Sequence, residues 1–318
     1  MPNQVDINTA TSGVILPPDI AQEIWQPTIE QSAFMTLANP MAVPGAGIEF
    51  QKITGDPVAQ WTGETAPAAV GRHSFGNKTV KTYTLSVIEP FSKKFLRDKG
   101  SLYEACIERL PRSFATKYDQ TIMGTTAPGN NFDVLGGCSQ VSILPGQDTS
   151  VYDAFIAVDA TIGANNGIMN GIALAPQGRS IVLGATDGMG RPLFTPGVES
   201  GQVGNILGSK VSVNKGVYKA GTAATAASGT EGTDGYVPAV AGAPAVVGVA
   251  GDFEDAWYGY TGGIEMTIDT SATLVDGEEE IHLFQQGMIA VRFDWDLTFV
   301  VKDSAEFVLL TGAVPSAA

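Results

Sequence analysis

In the run "SLYEACIERLPRSFATKYDQTIM" (101–123), Leu102, Cys106, Leu110, Phe114, Tyr118 and Ile122 recur every four residues. An α-helix turns once in about 3.6 residues, so this apolar stripe drifts around the helix instead of running straight. A long helix wrapping across a sheet buries such a stripe. Ser101 and Glu104 have capping-box spacing, Gly124 supplies a stop, and Pro111 predicts a kink. The chain must therefore also provide a sheet for this helix to lie on.

Strand signals flank it on both sides. Met41–Ile53 reads as extended, and so does "KTVKTYTLSVIEPF" (78–91). Between them lies "QWTGETAPAAVGRHSFG" (60–76), rich in Ala, Pro and Gly but with Trp61 and Phe75 near its ends. Two extended runs around such a segment predict a long hairpin whose tip is too polar to fold onto its own core. Residues 19–38 read as helical pieces broken at Pro27, and residues 1–18 as an extended arm.

Beyond the helix, Ser150 and Asp153 again have capping-box spacing and predict a helix over 151–162, with Phe155, Val158 and Ile162 on one face. "GIALAP" (171–176) predicts a short buried strand, and Pro176 suits the first turn of a helix running to Leu183. Residues 220–247 are low in complexity and almost without large side chains; they read as a surface loop or insertion that builds no core. Strand-like runs follow at 257–269, 288–302 and 305–310. The order predicts a mixed-sheet domain interrupted by an α/β lobe.

Charge is sparse and unevenly placed. Charged residues make up 16 % of the 318, hydrophobic residues 44 %, and the net charge is −15. From Arg72 to Lys117 ten basic residues face four acidic ones, so this stretch carries +6 and the rest −21. It reads as a solvated basic face, as a positive element that meets negative surface on another copy, or, as the remaining alternative, as a stretch that binds nucleic acid directly. The net charge disfavours nonspecific binding of nucleic acid or anionic membrane by the whole surface.

Cys106 and Cys138 form no CxxC pair and read as free thiols of a reducing compartment. The N-terminus lacks the pattern of a signal peptide, and "AVAGAPAVVGVAG" (239–251) is too short and too rich in Gly and Pro to span a bilayer. Neither a nucleophile elbow, a P-loop nor a dinucleotide fingerprint is present. His282 follows the acidic run "DGEEEI" (276–281), which reads as a solvated acidic loop, with a divalent cation as the weaker alternative. Asp294 and Asp296 share a strand face, as a catalytic pair or a solvent-facing strand would. His73 has no evident orienting acid. These residues define no enzyme, cofactor or metal site.

A resemblance adds to this. "GMGRPLFTPG" (188–197), "GNILGSKVSV" (204–213), "AGDFEDAWYGYTGGIEMTID" (250–269) and "LFQQGMIAVRFDWDLTFVVKDSAEFVLL" (283–310) follow in an order that resembles the second half of tailed-phage major capsid proteins of the Hong Kong 97 fold. "WTGETAPA…FG" (61–76) is similar to that family's extended loop, and "VIEPFSKKFLRD" (87–98) to the strand leading into its spine helix. The resemblance implies an α+β fold with an N-terminal arm (1–44), an extended β-hairpin loop (45–85), a peripheral domain (86–136 and 286–318) with spine helix 101–123, and an axial α/β domain (137–285) carrying the insertion 220–247.

It also implies a shell of hexamers and pentamers of this chain around double-stranded DNA, without sequence-specific contact and without a membrane. A separate scaffolding protein is expected, since the chain has no room for a long cleaved scaffolding region. A portal and a decoration protein are further expected partners. Assembly is expected in the bacterial cytoplasm. Candidate subunit-interface residues are Trp61, Glu64, Arg72, Phe75, Lys78, Lys81, Lys93, Lys94 and Arg97. An encapsulin-like compartment of the same fold, and a metal-dependent enzyme using His282 and Glu278–Glu280, are the other readings.

Overall fold

The computed structural model describes residues 32–45, 47–55, 57, 59–62, 70–94, 100–145, 150–187, 189–194, 205–223, 242–276 and 279–312. The extended arm (1–18) and the Pro27 break lie outside these residues.

The long helix forms as its stripe predicts: α2 runs over Gly100–Ile122, uninterrupted at Pro111. It is preceded by α1 (Ala33–Leu37), β1 (Asn39–Ala42), β2 (Ile48–Gly55), β3 (Ser74–Val80) and β4 (Tyr83–Ser92). After it come β5 (Ser139–Ser142), α3 (Val151–Ala164), β6 (Gly171–Leu174), α4 (Pro176–Leu183), β7 (Asn205–Ile206), β8 (Ser209–Val213) and β9 (Val246–Gly251). The chain continues through β10 (Ala256–Asp269), β11 (Thr273–Asp276), β12 (Glu279–His282), α5 (Leu283–Gln286), β13 (Met288–Val301) and β14 (Phe307–Thr311). The Ser150–Asp153 capping box opens α3, and Pro176 opens α4.

Two larger sheets organise these elements. One has the order β1-β10-β13-β4, with β13 antiparallel to both neighbours. Helix α2 lies on it: Phe114 meets the buried Trp295 edge-on at 6.5 Å, and the Tyr118 hydroxyl donates to Thr298 O at 3.0 Å. The other has the order β5-β14-β9-β6-β8-β7. Period-two alternation gives it two apolar faces. Phe307 and Leu309 point into the core shared with α2, whereas Val308 and Leu310 point into the core under α3 and α4.

Three expectations change. The run 41–53 is two strands in different sheets, because the chain turns at Gly47, whose φ of +85° and approach to Val80 O leave no room for a side chain. The run 78–91 likewise divides between β3 and β4 at Lys81–Thr82. The supposed insertion 220–247 ends too late, since Val246–Gly251 is a fully buried strand between β14 and β6. Its small residues are a packing requirement: a Cβ on Gly248 would lie 2.7 Å from Leu174 and 2.8 Å from Ala173 O. Residues 224–241 lie outside the described set.

Strand pairing also departs from the sequence-based grouping. The turn at Ser304–Glu306 carries β14 out of the four-stranded sheet into the six-stranded one, and β10 pairs with β13.

One buried carboxylate ties the N-terminal region to α2. Ser32 Oγ donates to Asp119 Oδ1 at 2.6 Å, and Ala33 N donates to Oδ2 at 2.9 Å. Ser32 itself caps α1, and Asn214, which caps the turn at Lys215–Val217, also bonds to Asp119. Burial pushes the Asp119 carboxyl up to about 7, against the lowering effect of these hydrogen bonds. The folded chain thus keeps a proton that the unfolded chain loses near the ordinary value of 3.8. The stability this contributes is complete below that pH and is lost as pH rises through about 7. Asp119→Asn, which keeps one donor and one acceptor, should flatten the fall in Tm between about pH 4 and 8. An unchanged pH profile of unfolding in the variant would contradict this assignment.

Candidate assembly surface

Strands β2 and β3 make the hairpin that the sequence predicts, in the register Ile48↔Val80, Phe50↔Lys78 and Ile53↔Phe75. It is attached at its base. Val43 and Val80 pack with Val300 there, and Met41 and Ile48 cover them. Lys78 reaches from β3 to form an ion pair with Asp133 and donates to Val301 O at 2.7 Å. Asp133 Oδ2 accepts from Val301 N at 2.8 Å, and Asp133 N donates to Phe299 O at 2.9 Å. The clasp therefore joins the hairpin, the segment after α2 and strand β13.

Beyond the clasp the hairpin has no apolar cover among the described residues. Trp61 is 105 % exposed, Val70 85 %, Phe75 68 % and Phe50 40 %. His73 and Phe75 rings lie 6.3 Å apart. Exposing one apolar residue is ordinary, but β3 and the connection before it expose Phe75, Val70 and Trp61 within one stretch of chain. A strand pair alone is marginal in water.

The candidate residues fall into three groups. Trp61, Arg72, Phe75, Lys81 and Lys94 are exposed, and Lys93 is half-buried. Lys78, expected to face another copy, is engaged within its own chain. Glu64 and Arg97 lie outside the described residues. Sequence reasoning missed Asp133, because its partner is 55 residues away and no local pattern marks the pair.

The other candidate chemistry is structural in its geometry. Asp294 accepts from Ser86 and pairs with Arg292 at 2.8 Å, and Asp296 accepts from Thr84 at 2.6 Å. Both carboxylates thus bridge β13 to β4 at directly opposed positions. His282 Nδ1 lies 3.1 Å from Thr273 Oγ1 and its Nε2 3.9 Å from Glu280, all exposed on the β11–β12 hairpin. The half-buried Cys138 thiol donates to Ser304 O, and burial pushes it up to about 11. Among the described residues no three His, Cys, Asp or Glu side chains gather as a metal would need.

Known proteins share this architecture. A family model described as the phage capsid family matches residues 12–231. The probable major capsid protein gp17 of Mycobacterium phage L5 is 25 % identical over 310 residues, covering 93 % of this chain and 89 % of that protein. Its counterpart in Mycobacterium phage D29 is 24 % identical, covering 94 % and 90 %. A solved chain of Mycobacterium phage Adephagia superposes with a TM-score of 0.68 at 16 % identity, over 89 % of this chain and 91 % of that one.

The clasp can be tested on the isolated chain. Lys78→Met should lower global stability by no more than about 1 kcal/mol, since the pair is partly exposed. Amide exchange across 48–55 and 74–80 should rise while that of 110–122 is unchanged. Uniform exchange changes throughout the chain would rule out a local clasp.

Proposed function

The chain belongs to the phage capsid family and is a major capsid protein of a tailed phage, and from that premise we propose that the β2–β3 hairpin is the arm by which each copy grips the next in the shell. Proteins of this kind form shells of hexamers and pentamers, and they reside in the virion. The observation that carries the proposal is the exposure of Phe75 on β3 and of Trp61 in the connection between the strands, on a hairpin whose apolar attachment among the described residues is at its base. Aromatic residues of this kind dominate interface energetics once desolvated. A closed shell needs heterologous contacts, and a projecting arm meeting a different surface on its neighbour supplies them.

The remaining parts follow the Hong Kong 97 plan. Helix α2 with the four-stranded sheet forms the peripheral domain, and the six-stranded sheet with α3 and α4 forms the axial domain. The hairpin is the extended loop, and the N-terminal arm, residues 1–44, joins the peripheral domain through β1 at the edge of its sheet. The exposed Arg72, Lys81 and Lys94, with Lys93, meet acidic surface on a neighbouring copy, which steers assembly and makes it salt-sensitive. Glu64 and Arg97 belong to the same proposed interface. A separate scaffolding protein shapes the shell in the host cytoplasm, a portal closes one vertex, and a decoration protein is an outer partner. The shell encloses double-stranded DNA without reading its sequence. The family is one of structural proteins, and we assign the chain no catalytic role and no cofactor.

Trp61→Ala separates assembly from folding. Truncating an exposed side chain should change monomer stability by less than about 0.5 kcal/mol. Loss of an interface anchor costs about 2 kcal/mol or more per contact, so the concentration needed for shells should rise at least about tenfold. Sedimentation and electron microscopy read the second effect, and thermal unfolding reads the first. Equal loss of both, or shells at the wild-type concentration, would remove the hairpin from the interface.

A further inference from the structure

On the side of α2 away from the sheet, Arg109, Arg112, Ser113, Thr116, Lys117 and Gln120 line an open depression of about 630 Å³. At about 3.6 residues per turn these six share one face, opposite Leu110, Phe114, Tyr118 and Ile122. The lining contains no carboxylate and no aromatic ring. Arg109, Arg112 and Lys117 make no ion pair among the described residues. Yet the chain holds 33 acidic residues against 18 basic ones. Three cations side by side, with no carboxylate partner among the described residues, are therefore a local concentration against the trend of the whole molecule.

The opposite side of the same lobe has the reverse character. Across the sheet, Thr84, Thr261, Glu265, Asp294 and Asp296 line a polar hollow in which Arg292 is the one cation. Among the described residues the lobe is thus positive where α2 faces out and negative on the opposite face of the sheet. A subunit of a closed shell has one side toward the contents and one side away from them.

We infer that the Arg109–Arg112–Lys117 face of α2 is the inner side of the shell and that it takes the phosphate backbone of duplex DNA. The inference rests on the capsid reading above and assigns it a contact surface. The residue types fit the ligand: arginine and lysine supply charge, and serine, threonine and glutamine supply the neutral donors that position phosphates. Without an aromatic ring on the face, bases have nothing to stack on, so the contact is with the backbone alone and ignores sequence.

The net charge of −15 does not cancel this. A helix is about 10 Å thick and the Debye length at physiological salt is about 8 Å, so carboxylates beyond the helix and sheet are screened from DNA at this surface. Three phosphate contacts per copy are weak singly and add up over the copies of a shell. DNA is then lined up along the wall and still free to leave.

The probe is a fluorescein-labelled duplex of about 20 base pairs and arbitrary sequence, titrated with the purified full chain while anisotropy is followed between about 50 and 200 mM salt. Wild type should bind at the lower salt, equally for unrelated sequences. The triple variant Arg109→Gln, Arg112→Gln, Lys117→Gln should bind at least about tenfold more weakly, with a salt slope shallower by about 2–3. If circular dichroism shows the triple variant unfolded, Lys117→Gln alone should reduce the slope by about 1. Absence of binding by wild type at the lowest salt, or an unchanged slope in the folded variants, overturns the inference. So does a triple variant that binds DNA normally but no longer forms shells, which would make the face a contact with protein. Failure of wild type to form particles under any condition counts instead against the capsid reading, because duplex binding is measured on the unassembled chain.

Discussion

Strand β13 is hydrogen-bonded along both edges, and nearly everything else in the described structure is arranged around satisfying and covering it. Its edges are closed by β10 and β4, both antiparallel. Its Trp295, Phe293 and Phe299 are buried, with α2 as the lid over Trp295. At its far end Val300 receives the base of the hairpin, and the backbone of Val301 is held by Asp133 and Lys78. A central strand with unpaired edges or an uncovered aromatic face would be untenable. Helix, arm and sheet are thus fastened to one another through a single element.

The parts legible in the sequence are those whose signal is local. Capping boxes and first-turn proline place α3 and α4 to within a residue or two, because each depends on side chains three or four positions apart. The stripe of α2 is legible for the same reason. What escapes is set by distant neighbours. Strand β9 hides as low complexity because its small residues answer to Leu174, Ala173 and Phe307 from other strands, not to any periodicity of its own. The switch between β1 and β2, and between β3 and β4, depends on which sheet has a free edge, and hydrophobic alternation runs straight through both breaks.

The candidate surface divides along the same line. That Trp61 and Phe75 are uncovered follows from the composition around them, since Ala, Pro and Gly offer nothing to pack against. That Lys78 belongs to the chain's own clasp does not, because a lysine on a strand reads alike whether its partner is Asp133 or a carboxylate on another molecule. Asp119 was equally invisible: its neighbours Ser32, Ala33 and Asn214 come from two remote segments, and only their convergence makes the carboxylate unusual.

The clasp makes the hairpin a lever with a short fulcrum. Eight residues of β2 extend about 26 Å at roughly 3.3 Å each, so a rotation of about 10° at Val43, Val80 and Val300 displaces the far end by about 4–5 Å. Such a rotation repacks the three valines, of which Val300 belongs to β13, and leaves the pairing of β13 with β10 and β4 in place. With the hairpin as the proposed arm, one amino-acid sequence would reach neighbours set at different dihedral angles, as five-fold and six-fold rings require, by adjusting this joint.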